Sequence, residues 1–168
     1  MVQHTSSGAP DTMPAFQHTY DKNVAGKLKD LTIICQDGRD FYAYAAQETK
    51  DPELHELFTC FASIREDAIG ELQANINALG ETAPVEEHSL AGIVRQNYAK
   101  FKKMLSLNEN AALVDELEET EDRTLEAFNQ ALDALPPSDP VRIVVIQQRD
   151  IFKGTHARMR ALKEQMHQ

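Results

Sequence analysis

Residues 21–49 read DKNVAGKLKDLTIICQDGRDFYAYAAQET. Within them Val24, Leu28, Leu31, Cys35, Gly38, Tyr42, Ala45 and Thr49 recur at intervals of four and three residues, with Ile34 and Phe41 beside them. That interval draws one apolar stripe along a single long α-helix over about 22–49. At 1.5 Å of rise per residue such a helix is about 40 Å long. Asp51-Pro52-Glu53 follows, with the chemistry of a helix start. Asp51 can accept from free amides, Pro52 lacks the N–H that a first turn leaves unused, and Glu53 faces the positive end of the dipole. A second helix is therefore predicted over 52–79, with Leu54, Leu57, Phe61, Ile64, Ala68, Leu72 and Leu79 as its stripe, Phe58 and Ile76 alongside, and Gly80 as its stop. So short a break makes the two helices an antiparallel hairpin.

The second half repeats the plan. Helices are predicted over about 109–135 and 139–166, divided by Pro136-Pro137-Ser138-Asp139-Pro140. The first of these has Val114, Leu117, Glu121, Thr124, Phe128, Ala131 and Leu135 in line, flanked by Leu113, Leu125 and Leu132. The second has Val141, Val144, Gln148, Ile151, Thr155, Met159, Leu162 and Met166, flanked by Val145 and Phe152. Asn108 is a candidate cap for the third long helix. Between the hairpins lies a long connection, with a short helix predicted over 90–105 after Ser89. An up-down-up-down bundle needs no such connection, whereas a bundle with one long crossover does. The predicted fold is all-α: a ferritin-like four-helix bundle over 21–168 whose crossover carries a short extra helix. Residues 1–20 are polar and aperiodic and are predicted to be a disordered tail.

Composition agrees with a bundle and excludes several other classes. Of 168 residues, 42% are apolar and 26% charged, which is globular rather than disordered. Trp is absent and aromatics are 7%, sparse for a β-sandwich. A net charge of −10 repels phosphate backbones, so nucleic acid is not an expected partner. No apolar run is long enough to span a bilayer, and Met1 to Pro10 hold no apolar signal core. Two cysteines, Cys35 and Cys60, make neither a disulfide framework nor a Cys-only zinc site, and a reducing cytoplasm is expected. In an antiparallel hairpin they also lie too far off level to join. Charge is zoned: eight acids and one base, Arg123, lie between Glu109 and Glu126, and four bases without an acid lie between Arg95 and Lys103. Two mutually attracting solvated faces account for this, or an acidic docking surface for a basic partner or for cations.

Bundles of this topology that bind two metal ions supply a Glu from each of two helices and a Glu-x-x-His from each of the others. The helix midpoints here fall near Cys35, Glu66, Glu121 and Phe152. Glu121 stands in the stripe where a bridging carboxylate belongs. Arg65 with Ala68, or Glu66 with Ile69, stands where one Glu-x-x-His belongs, and Arg149 with Phe152 where the other does. Both histidines are missing. The sole Glu-x-x-His, Glu164 to His167, sits at the fraying C-terminus. Seam burial of an unpaired carboxylate costs several kcal/mol, so Glu121 is predicted to be held by Arg65, Arg149 or both as a structural polar core. The alternatives are a metal site for iron or another divalent ion drawing on Glu121, Asp37, Glu66 and His156, or rotation of Glu121 toward solvent. No catalytic residue and no resident cofactor are expected. Tyr42 and Tyr44 are expected in the core, and His55 and His88 at the surface.

Several stretches resemble a known family. They are Leu31 to Tyr42 (LTIICQDGRDFY), Ala45-Ala46, Asp51-Pro-Glu-Leu, Glu71-Leu-Gln, Leu79-Gly80, Ser89-Leu-Ala-Gly, Glu118-Glu119 to Leu125-Glu126, and His156-Ala-Arg-Met-Arg. In order and spacing they are similar to the DUF2383 four-helix-bundle family over about Leu28 to Lys163. The resemblance implies a ferritin-like fold in a soluble bacterial protein without established activity, often associated with stress. Of the ferritin ligands it carries over Glu121, with Asp37 and Glu66 as further positions, and neither Glu-x-x-His. The expected function is non-enzymatic, through a homodimer or another helical partner. The alternative is an iron-handling or oxidase protein of the di-iron carboxylate type with a reduced ligand set.

Overall fold

The structure is a computed structural model that describes residues 15–84, 99–100, 102–104, 106–107 and 109–168. Four long helices build it: α1 (Ala15–Glu48), α2 (Pro52–Ala78), α3 (Asn110–Ala134) and α4 (Val141–Met166). No strand occurs among the described residues. The chain is an all-α helical bundle.

The helix ends follow local chemistry. Asp51 Oδ1 accepts from the amides of Glu53 (2.9 Å) and Leu54 (3.2 Å), with Pro52 in the first turn. At the other end of α2, Gly80 takes φ +76°; its N–H donates to Asn77 O and that of Glu81 to Ile76 O, a Schellman closure that needs a left-handed residue. The amide of Val141 donates to Asp139 Oδ1 at 2.8 Å and so opens α4. α3 starts without a side-chain cap at Glu109, and Asn108 lies outside the described residues.

Contacts fix the topology. Cys35 and the residues before it on α1 pack with Phe128, Ala131, Leu132 and Leu135 at the end of α3, while Tyr42, Ala45 and Ala46 pack with Leu113, Val114 and Leu117 at its start. α1 and α3 are therefore antiparallel. α2 and α4 are antiparallel too: Gln148 reaches Ala68 and Glu71, and Met159 packs with Phe58 and Phe61. It follows that α2 and α3 run parallel on a diagonal, and the chain between them must travel back the length of the bundle. That is the single long crossover. Residues 99–100 and 102–104 of it are helical; the rest of the short helix predicted over 90–105, together with Ser89 and His88, lies outside the described residues, apart from Ser106 and Leu107 next to it.

Two expectations about boundaries and faces change. α1 begins at Ala15, so residues 15–20, expected in a tail, are helical, and residues 1–14 lie outside the described residues. Gln17 donates to Asp21 at 2.8 Å, Tyr20 hydrogen-bonds Asp139 beyond α3, and these contacts extend the helix backward. The inward face of α2 is turned from the predicted stripe: Phe58, Arg65, Ile69 and Ile76 are buried, and Leu57 and Ile64 are only half-buried. On α4, likewise, Val145 and Phe152 are buried while Ile151 is exposed. Both helices carry apolar residues on two neighbouring faces, so periodicity leaves their rotation open. α3 has one apolar face, and its predicted stripe from Val114 to Leu135 is buried throughout.

The interior has two apolar layers. One gathers Leu28, Leu31, Leu72, Ile76, Phe128 and Phe152; the other gathers Tyr42, Ala45, Phe58, Phe61, Leu117 and Met159. Where they meet, at mid-height, the core turns polar.

Candidate functional site

The waist of the bundle is built around Arg65 and Glu121, 1% and 0% exposed. Arg65 Nη2 donates to Glu121 Oε1 at 2.9 Å, and Nη1 donates to Thr124 Oγ1 at 3.1 Å. Thr124 in turn donates to Thr120 O at 2.8 Å. The Tyr42 hydroxyl donates to Glu121 Oε1 at 2.6 Å, and the Thr155 hydroxyl donates to Oε2 at 2.6 Å. One residue from each of the other three helices thus converges on the Glu121 carboxylate. The guanidinium lies between two rings, 5.5 Å from the Tyr42 centroid and 5.1 Å from that of Phe152, inside cation–π range on both faces.

Gly38 makes the space. A Cβ there would lie 2.5 Å from Arg65 Cζ and 2.6 Å from Nε. With the guanidinium in this place, any side chain at position 38 collides with it, and one of the two must shift.

The electrostatics follow from burial and proximity. Burial by itself would lower the Arg65 pKa; Glu121 first, with Tyr42 and Cys35 beside it, together outweigh burial, so Arg65 is held above its ordinary value. Burial, reinforced by Glu121 and opposed by Arg65, pushes the Tyr42 hydroxyl well above its ordinary value. Burial also pushes the Cys35 thiol up to about 12, with Arg65 opposing and Glu121 adding. Cys35 is thus a neutral core group, and Cys60 is exposed; both are free. A permanently charged donor faces a carboxylate whose two oxygens accept three hydrogen bonds.

These residues do not fit a metal pair. The waist offers one carboxylate, already engaged, and a cation stands beside it. Of the other residues that spacing suggested as ligands, none reaches the waist. Glu66 is exposed and pairs with Arg39 at 2.8 Å. His156 points to the α3–α4 seam, with Nε2 2.6 Å from Asp122 Oδ1. Asp37 is half-buried, and its Oδ1 has no partner among the described residues. Burial and then Asp40 push the Asp37 carboxyl up to about 6.

Asp37 gives a pH prediction with a definite sign. Its folded value of about 6 exceeds the ordinary 3.8, so the folded state holds this proton more tightly. The favourable contribution is complete below 3.8 and lost as pH rises through 6. Asp37→Asn is expected to raise the melting temperature above pH 6 and to have little effect at pH 4. Melting curves of both proteins from pH 4 to pH 8 check this; an equal shift at both ends would contradict it.

Arg149 is a correction. It does not touch Glu121 but pairs with its neighbour Asp150 at 3.2 Å on the surface. The α3–α4 register explains why. Glu121 is level with Thr155, not with Phe152 or Lys153, which moves Arg149 almost two turns away. Gln148 takes the inward position instead. Thr155, Thr124 and Gly38 were legible only as stripe members. Their signal is that small or hydroxylic residues occupy inward positions at one height on three helices. The acids of α3 do not all lie on one solvated face: Glu118 is buried and held by Lys163 at 2.8 Å, while Glu116 pairs with Lys100 of the basic stretch, as mutual attraction of the two segments predicts.

A match to DUF2383, a domain of unknown function, spans residues 23–134. The chain belongs to this family. Among curated proteins no match is found. The DUF2383 span holds Gly38, Tyr42, Arg65, Glu121 and Thr124. It stops at Ala134, short of the expected limit near Lys163, so Phe152, Thr155 and His156 on α4 come from outside it.

Proposed function

We propose that this DUF2383 protein is a non-enzymatic, ferritin-like bundle that acts through protein contact rather than through chemistry in its interior. The observation that supports the reading is the waist itself. Arg65 fills the place between the helices, and Glu121 spends both oxygens on Arg65, Tyr42 and Thr155. Buried ion pairs of this kind fix the mutual register of elements, because every misaligned packing leaves a charge unpaired.

The contact surface we favour is on α4. Ile143 and Ile151 are 62% and 53% exposed, two turns apart. Ile151 borders a groove between α2 and α4 lined also by Ile64, Ala68 and Phe152. A second copy or another amphipathic helix would cover it. We place the protein in the cytoplasm on the strength of its unpaired cysteines. Among the described residues no helix is long and apolar enough to cross a membrane. A stress-associated role belongs to the same proposal and rests on the family likeness alone.

Two measurements test it. Untagged protein expressed with added iron is expected to show no near-ultraviolet oxo-iron absorption. Stoichiometric iron that is lost on Glu121→Ala would replace this reading with the di-iron one. Sedimentation is expected to show an assembly that Ile143→Glu with Ile151→Glu dissociates. Contact through this face is wrong if the double variant sediments as the parent does.

A further inference from the structure

Outside the waist, the seam between α3 and α4 brings together a different set of groups. Glu118 and Asp122 stand one turn apart on α3, and His156 faces them from α4. His156 Nε2 lies 2.6 Å from Asp122 Oδ1 and 3.8 Å from Glu118 Oε1, and one ligand atom from each of the three residues lies within 4.8 Å of the others. Among the described residues no other such group of His, Cys, Asp and Glu is present.

From these distances we propose that Glu118, Asp122 and His156 form a surface site for a single divalent first-row cation of the Zn²⁺ type. Bonds of about 2.0–2.2 Å to nitrogen and oxygen set tetrahedral ligand atoms roughly 3.3 Å apart. The two observed separations from Nε2, 2.6 and 3.8 Å, lie on either side of that edge. Small side-chain adjustments therefore open room for the ion without moving either helix.

Three further features favour the site. Glu118 is buried, and its second oxygen is fixed by Lys163 at 2.8 Å, so the first is held toward His156. Such an outer contact orients a ligand in the way that partners of metal-bound residues do. Asp122 is exposed and leaves an entry from solvent. The net charge of −10 draws cations to the chain. The imidazole decides the class of ion: it suits Zn²⁺ and Co²⁺ and disfavours Ca²⁺ and Mg²⁺, which prefer all-oxygen ligands. This set shares His156 with the interior site that sequence spacing suggested and replaces its other members. It stands apart from the Arg65–Glu121 pair, so it does not depend on what that pair does.

The test uses the untagged full chain, stripped with chelator. Calorimetric titration with ZnCl₂ is expected to show one ion per chain, and Co²⁺ is expected to give visible d–d bands that Zn²⁺ removes. CaCl₂ is expected to give no heat. Asp122→Asn and His156→Gln, whose helicity by circular dichroism checks folding, are each expected to abolish the Co²⁺ bands. His167→Gln is expected to keep them, although His167 also meets a carboxylate, Asp115, at 2.8 Å. The site does not exist if the parent chain binds no Zn²⁺, or if binding persists in both Asp122→Asn and His156→Gln.

Discussion

Glu121→Leu destabilises the bundle by about 3–5 kcal/mol, because it leaves the Arg65 guanidinium buried without its carboxylate. The pair is sealed at 1% and 0% exposure, so water cannot take the place of the lost partner without opening the waist. Removing both charges is a different experiment. In Arg65→Met with Glu121→Leu no ion remains to desolvate, and such replacements are often neutral or stabilising. Here the recovery is incomplete, because the Tyr42 hydroxyl loses its acceptor. An orphaned buried hydroxyl costs about 1–3 kcal/mol. Thr155 and Thr124 keep backbone acceptors, Phe152 O at 3.1 Å and Thr120 O at 2.8 Å. Adding Tyr42→Phe is therefore expected to return the stability to within about 1–2 kcal/mol of the parent. Urea unfolding of the single, double and triple variants measures the ladder. If the double variant is destabilised by the sum of the two singles, the pair is not coupled and the account of the waist fails.

Gly38→Ala is expected to change sign with its background. Alanine in a helix interior gains about 1 kcal/mol over glycine. Against this, its Cβ would meet Arg65 Cζ at 2.5 Å, and the guanidinium is fixed by Glu121, Thr124 and two rings. Overpacking of that kind costs about 1–3 kcal/mol, and displacing the ion pair adds to it. In the parent chain the substitution is destabilising. In the background of Tyr42→Phe, Arg65→Met and Glu121→Leu, the flexible methionine can withdraw, and the same substitution is expected to stabilise by about 0.5–1 kcal/mol. Equilibrium unfolding of the two pairs of proteins decides. A loss of equal size in both backgrounds would show that Gly38 is needed for some reason other than Arg65.

The fold and the site differed in how legible they were. The length and phase of α3 could be read directly, since Val114, Leu117, Thr124, Phe128 and Ala131 leave it a single inward face. The turn chemistry at Asp51-Pro52 and at Gly80 likewise placed both ends of α2 to within a residue. Rotation was harder. On α2 the choice between Leu57 with Ile64 and Phe58 with Arg65 is close by apolar count, and the charge on Arg65 argues for the wrong one. Only the presence of Glu121 at the same height makes the second choice favourable. The early start of α1 was hidden for a similar reason: residues 15–20, AFQHTY, are too few to show a helical period, and what extends the helix there includes a contact with Asp139, more than a hundred residues away.

Local rules of spacing and capping thus determined that this chain makes long helices in two hairpins, and that a carboxylate at position 121, if it faces inward, needs a cation. They act over one helix turn or one loop, where sequence distance and spatial distance agree. Tertiary packing alone decided which cation it finds. Arg65 and Arg149 were equivalent candidates until the α3–α4 register was set: a shift of about three residues, roughly 4.5 Å, brings Thr155 level with Glu121 and leaves Arg149 roughly 9 Å away along the axis.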